Sequence, residues 1–381
     1  MRFRRALLPV SLILLATPVL AAGQDTLARW RLSPRPTLTI GGERDPRTEF
    51  LRIGTVLRLP NGDIVVPNGG TAEIRVFDRT GRYLRTMGRI GSGPGEFRNP
   101  ALVGRAGDTL MVADLVTARI TLFLVTGGLV RTIPITARDP LGSFFVVGRL
   151  RDGRWAVKTV STPTIYGPQR TYRDTARVGV IAPDASGSVT WLGEFPGTTF
   201  FVHNPEGGPH GDVVGVVPLA PRSTSVVSGD EILVGDPGDN VIGAYSTAGT
   251  VLRLITLALD AKPLTDERIA RLRQQALEQN PSERSRPYLT ALHSRSVMGQ
   301  SLPVFSEVLP APDGSLWVQE GAVDSREPAT WLVLDPAGKP KASLQAPAGF
   351  RITEVGPSYV VGVHTDADGV ETVRLYQLSS Q

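Results

Sequence analysis

The 381-residue sequence predicts an all-β chain, a six-bladed β-propeller closed by an N-terminal strand, with a helical insertion between blades four and five. Three observations carry this. A glycine turn followed by a short apolar strand recurs along the chain. Gly (41) and Pro (31) are abundant but scattered, as chains of many short strands and tight turns require. One segment only, 260–302, has a helical pattern.

The repeat reads first as Asn61-Gly62-Asp63-Ile64-Val65-Val66 and then as Gly107-Asp108-Thr109-Leu110-Met111-Val112. It returns as Asp152-Gly153-Arg154-Trp155-Ala156-Val157, Gly229-Asp230-Glu231-Ile232-Leu233-Val234 and Asp313-Gly314-Ser315-Leu316-Trp317-Val318, with a looser copy at Gly356 to Val361. The final valines are 46, 45, 77, 84 and 43 residues apart. Four-stranded propeller blades repeat every ~40–50 residues, so each long gap reads as a blade plus an insertion.

A second strand follows each copy: Ile74–Asp78, Ile120–Phe123, Val178–Ile181, Val241–Tyr245, Trp331–Asp335 and Val373–Tyr376. Gly81, Gly127, Gly187, Gly249 and Gly338 then mark turns into a further strand, such as Tyr83–Met87 or Val251–Leu257. The chain ends five residues after Tyr376, which leaves the last blade one strand short, and Thr37–Ile40 is the spare strand expected to complete it. An open ring would leave a sheet edge and a blade face exposed. Phe50, Phe97 and Phe144, spaced 47 residues apart, mark the same register.

Arg75-Val76-Phe77-Asp78-Arg79-Thr80-Gly81, followed by Met87-Gly88-Arg89-Ile90-Gly91-Ser92-Gly93-Pro94-Gly95-Glu96-Phe97, closely resembles the NHL-repeat consensus. Val112-Ala113-Asp114 with Arg119, Ile120 and Phe123 resembles the strand that follows in it. The resemblance is strong in blades one and two, fair in four and five, and weak in three and six. It points to the exported bacterial six-bladed propellers of largely unassigned function. It implies a binding platform, since NHL-type propellers generally act as such and a minority are enzymes.

Arg2, Arg4 and Arg5 followed by apolar Ala6–Leu20 read as a secretory signal over residues 1–22, ahead of a single propeller domain, 23–381. The apolar run is too short to span a bilayer comfortably, so no membrane span is expected in the mature chain. Export to the periplasm or beyond follows. Without residues 1–22 the formal charge falls from +5 to +2, and no basic stripe appears, which disfavours nucleic-acid binding. The absence of cysteine excludes disulfides and thiol catalysis. A closed ring of this size would be stable as a monomer.

One end of the ring is expected to carry the long loops, and with them the binding surface for a protein or small-molecule ligand. Loop 161–175 holds Tyr166, Arg170 and Tyr172, and loop 195–215 holds Phe200, Phe201, His203 and His210. In the 260–302 insertion Thr265 can cap a helix, with Ile269, Leu272, Ala276 and Leu277 on one face. That insertion either seals the junction of blades four and five or caps the pore.

The positions two beyond the strand valines belong to this same end: Asn68, Asp114, Thr159, Asp236, Glu320 and Val363, with His364 next. Their converging polar groups would suit a cation, calcium or another divalent metal, or a polar ligand. The alternative is that Asp114 and Asp236 hydrogen-bond the adjacent turn. His203, His210 and His293 are weak metal candidates, without zinc-like spacing, and scattered solvent-exposed histidines are the competing expectation. No catalytic residue is assigned and no cofactor is evident. The Gly91–Gly95 run lacks the following helix that a phosphate loop needs, and there is no G-x-S-x-G elbow. The expectation is a non-catalytic binding scaffold. The alternative is a metal-dependent, lactonase-like hydrolase, or a lyase, using the pore carboxylates or the loop histidines.

Overall fold

The computed structural model describes residues 27–42, 45–137, 144–160, 167–206, 213–321 and 327–380. The proposed signal segment, Tyr166 and His210 lie outside them.

Two short strands come first, β1 (Ala28–Leu32) and β2 (Leu38–Ile40). Antiparallel meanders follow. The first is β3 (Leu57–Arg58), β4 (Ile64–Asn68), β5 (Glu73–Phe77) and β6 (Tyr83–Met87). The second is β7 (Pro100–Ala106), β8 (Thr109–Asp114), β9 (Arg119–Leu124) and β10 (Leu129–Pro134). The third is β11 (Phe144–Arg149), β12 (Trp155–Thr159), β13 (Arg170–Ile181) and β14 (Thr190–His203), with β15 (Val213–Val216) added to its edge. The fourth is β16 (Thr224–Ser228), β17 (Glu231–Asp236), β18 (Val241–Tyr245) and β19 (Val251–Thr256). After α1 (Asp266–Gln279), α2 (Arg286–Leu292) and α3 (Arg295–Met298), the fifth runs β20 (Phe305–Pro310), β21 (Leu316–Glu320), β22 (Ala329–Leu334) and β23 (Pro340–Ala346). The last has β24 (Phe350–Val355), β25 (Tyr359–Thr365) and β26 (Glu371–Ser380).

The first strands of the meanders meet in sequence: β7 touches β11, β11 touches β16, β16 touches β20, β20 touches β24 and β24 touches β3. The circuit returns to its start through β4 against β7. A propeller-type arrangement results, with each meander packed face to face on its two neighbours.

The second strands explain why the sequence reads as unbroken apolar runs rather than strict alternation. Side chains along a strand alternate between two faces, and here both faces are covered. In β4, Ile64 and Val66 pack with Val361, Val363 and Val373 of the last meander, while Val65 packs with Leu110 and Val112 of the second. In β21, Leu316 and Val318 face the fourth meander and Trp317 faces the last. A separate buried cluster fills each junction, down to Leu150, Ala156 and Val178 against Ile232 and Val234.

The expected spare strand is in place. Leu38, Thr39 and Ile40 of β2 pair antiparallel with Leu375, Arg374 and Val373 of β26. The turn glycines record the same order. Each adopts a left-handed φ (Gly81 86°, Gly127 108°, Gly249 85°, Gly338 86°) that side-chain-bearing residues rarely take. A β-carbon at three of them would meet the preceding outer strand: Gly127 at Arg85, Gly249 at Leu192 and Gly338 at Ile255. For Gly81 the preceding outer strand is β2, whose Leu38 it meets.

β1 was not foreseen. It pairs parallel with β23 and antiparallel with the end of β26, fusing the fifth and last meanders into one nine-stranded sheet. Trp30 anchors it, its ring centroid 5.6 Å from that of Trp317.

Parts of two expected loops are sheet instead. Arg170 and Tyr172, expected in a loop, begin the 12-residue β13, and Phe200, Phe201 and His203 end the 14-residue β14. These strands run on past the other meanders because their extension has its own apolar cover. Phe201 and Val217 pack with Leu264, Ile269, Leu292, Met298 and Leu302 of the helical segment. Thr265 caps α1 as expected, its side chain accepting from the Arg268 N–H. After Pro281 come two short helices, with Pro287 in the first turn of α2, where its missing N–H costs nothing.

Candidate functional site

The two strongest carboxamide and carboxylate candidates serve the backbone. Asp114 is 1% exposed and accepts four backbone N–H bonds: from Arg98 (2.6 Å), Asn99 (3.1 Å), Val116 (2.9 Å) and Thr117 (3.1 Å). Asn68, equally buried, accepts from Leu51 N and donates to Glu49 O and Thr71 Oγ1. Each ties the turn after its strand to the segment entering the first strand of the same meander. Thr159 accepts from Arg177 N at 2.9 Å.

The other candidates separate. Asp236 accepts from Gly238 N (3.0 Å) and forms an ion pair with Arg173 at 2.7 Å. Glu320 is paired with Lys262 at 3.4 Å. Arg170 lies over the Tyr172 ring at 5.1 Å and donates to Pro168 O. The His364 Nδ1 is buried without a partner, and burial, reinforced by Arg374, holds the imidazole below its ordinary pKa against the pull of Asp366.

The histidines correct the expectation of scattered exposed rings. His203 and His293 are 7% and 6% exposed. His203 packs edge-on to Tyr288, and His293 Nδ1 is 2.8 Å from Leu289 O. Both belong to the packing of the helical segment on β14. Among the described residues no group of three or more His, Asp or Glu stands where it could hold a metal.

A different set converges where the extended third sheet overhangs the ring. Between β14 and β15 on one side and the start of β20 on the other lies a cavity of about 270 Å³. Thr199, Val217, Leu219, Arg222, Phe305 and Glu307 are among its walls. Next to Arg222, Ser223 accepts from Lys158 of β12 through its O (2.6 Å) and Oγ (3.0 Å). Arg173 donates to Gly197 O, and Asp174 accepts from Thr198 N.

The electrostatics of this site are uneven. Burial lowers the Lys158 pKa to about 8, Arg222 and Arg173 add like-charge repulsion, and Asp174 opposes them. Glu307 is exposed at the cavity, yet the surrounding protein desolvates its carboxyl enough to raise it above the ordinary 4.5, with Arg351 and Arg222 pulling the other way. Arg222 and Glu307 therefore sense each other, yet among the described residues neither side chain has a hydrogen-bond or ion-pair partner.

Glu354 on the neighbouring first strand, β24, makes the contrast. It accepts from Arg58 N and Tyr359 Oη, both at 2.7 Å, and the Arg58 guanidinium covers the Tyr359 ring at 4.6 Å. That carboxylate is satisfied from within the ring; Glu307 is not.

Sequence reasoning missed Lys158, Arg173, Arg222 and Glu307. Lys158 alone left a signal. Its position in the repeat is Pro67, Ala113, Gly235, Gln319 and Gly362 in the other copies, so a charge there breaks the pattern.

No protein-family profile matches the chain, and no curated protein matches it. Solved structures do. A putative exported protein from Bacteroides fragilis is 14% identical, covering 94% of this chain and 98% of that one, with a TM-score of 0.53. A member of the DUF4221 family from Bacteroides vulgatus is 11% identical, covering 93% and 100%, with a TM-score of 0.54. At such identity the likeness is one of fold, and that fold is propeller-type.

Proposed function

We propose that this chain is an exported, six-bladed propeller of the NHL type that works as a ligand-binding platform, with its site at the overhung mouth of the ring. The six repeat copies and the NHL-like motifs of the first two blades support the architecture. The basic and apolar N-terminus supports export, as does the likeness to a protein described as exported. No helix among the described residues is long and apolar enough to cross a membrane.

The observation that carries the site is the cavity itself, with two unpaired, opposite charges on its walls. Both side chains are exposed, so water serves them in the free chain and a ligand in the cavity can take its place. The metal-dependent alternative has less support. Its best donors, Asp114 and Asn68, already have their oxygens filled by backbone N–H groups.

Two measurements test this reading. Residues 23–381, prepared without a histidine tag, should carry no stoichiometric metal by elemental analysis. About one calcium or zinc ion per chain would overturn the platform reading in favour of a metalloenzyme. Thermal-shift screening against small charged metabolites should yield a stabilising ligand whose effect is lost in Val216→Trp, where the exposed Val216 side chain at the cavity wall becomes a plug. A shift that survives Val216→Trp would place binding elsewhere.

A further inference from the structure

We propose that this cavity takes a zwitterionic ligand of the amino-acid or short-peptide class, its carboxylate on Arg222, its ammonium on Glu307 and an apolar side chain against the wall between them. The inference rests on the binding-site reading above and adds the class of ligand.

Charge decides the class. A guanidinium is matched to a carboxylate, which it can grip through two parallel N–H bonds. Lys158 and Arg173 stand close enough to affect each other, and Arg222 adds to them, so the surroundings of Arg222 are electropositive. Arg173 is already neutralised by Asp236, whereas Arg222 has no partner among the described residues. A simple anion at Arg222 would still leave Glu307 unmatched, and a simple cation at Glu307 would meet Arg222 and Arg351. A molecule bearing both charges a few bonds apart satisfies both groups at once. Arg222 and Glu307 interact without forming an ion pair, which is the spacing such a molecule would bridge.

Shape agrees. A cavity of about 270 Å³ is small beside those that hold drug-sized ligands, which run to roughly 300–1,000 Å³. Val217, Leu219 and Phe305 supply an apolar wall, and Thr199 a hydroxyl. That composition favours an aliphatic side chain over a sugar or a phosphate ester.

The test uses four probes that share the leucine side chain: L-leucine, L-leucyl-L-leucine, 4-methylpentanoate without the amine, and isoamylamine without the carboxylate. Calorimetry on residues 23–381 should show the zwitterions binding about tenfold or more tightly than either singly charged analogue. Arg222→Gln should bring leucine down to the level of isoamylamine, and Glu307→Gln should bring it down to that of 4-methylpentanoate. Neither side chain has a hydrogen-bond or ion-pair partner among the described residues, so both variants should keep the wild-type unfolding temperature, and Arg222→Lys should retain part of the preference. No binding of either zwitterion, equal binding of the analogues, or indifference to both substitutions overturns the proposal. If 4-methylpentanoate alone binds, and Val216→Trp abolishes it, the ligand class is wrong while the site stands.

Discussion

Replacing Asp114 by alanine removes an acceptor that serves four backbone N–H groups, two in the turn after β8 and two in the segment entering β7. The side chain is 1% exposed, so water cannot simply take its place. An unmade buried hydrogen bond costs about 1–3 kcal/mol, and some of the four donors will find solvent as the turn relaxes, so a loss of about 3–5 kcal/mol is expected. Asp114→Asn should be little better than half as harmful, because one pair of N–H donors would then face an amide nitrogen. The reverse substitution at the equivalent position, Asn68→Asp, should also destabilise, since it sets a carboxylate oxygen against the Glu49 carbonyl that Asn68 Nδ2 now donates to. Urea unfolding followed by the fluorescence of buried Trp155, Trp317 and Trp331 measures all three. An Asp114→Ala protein within about 0.5 kcal/mol of wild type would refute the turn-binding role. So would calcium that stabilises wild type and not the variant, since the carboxylate would then be a cation ligand.

Lys158 is held at about 8 in the folded chain against an ordinary 10.5. Between these values the unfolded chain binds the extra proton, so this group makes stability rise with pH through that window, and Lys158→Met should remove the rise. Urea unfolding at several pH values between them decides it; parallel curves for the two proteins would refute it. Ile40→Ala on β2 should cost about 2–4 kcal/mol, because Ile40 is 2% exposed within the cluster that joins the last meander to the first. Unchanged denaturation would mean that β2 does not close the ring in solution. Gly215→Ala should loosen α2, since the new β-carbon collides with Tyr288 Oη. Faster hydrogen exchange over residues 286–292 is the expected result, and unchanged exchange would show that the contact is not maintained.

The strand order was legible because its determinants are local. A glycine turn, a run such as Ile64-Val65-Val66 and a fixed spacing are short-range facts, and the missing strand after Tyr376 pointed to Thr37–Ile40. Even the role of Asp114 and Asp236 at the adjacent turn was readable, as side chains of this type bond to nearby backbone. β1 was not legible. Its partners are β23 and β26, at the far end of the chain, and a parallel pairing leaves no turn to signal it. The extension of β13 and β14 was read as loops because its apolar residues are covered by helices some 60 or more residues on, and a strand's face is recognisable in sequence only when its cover is regular.

By itself, then, the sequence determined the repeating strands, their alternating faces and the closure, all of which follow from patterns within one repeat. Only the tertiary structure decided which charges meet. Arg222 and Glu307 come from separate elements, and each looks like an ordinary charged residue until the fold sets both on one cavity, with Lys158 and Arg173 near enough to be felt at Arg222's side. The physical reason is range: burial pattern is set by neighbours along a strand, whereas an electrostatic site is set by distances that the chain closes only when the ring is complete.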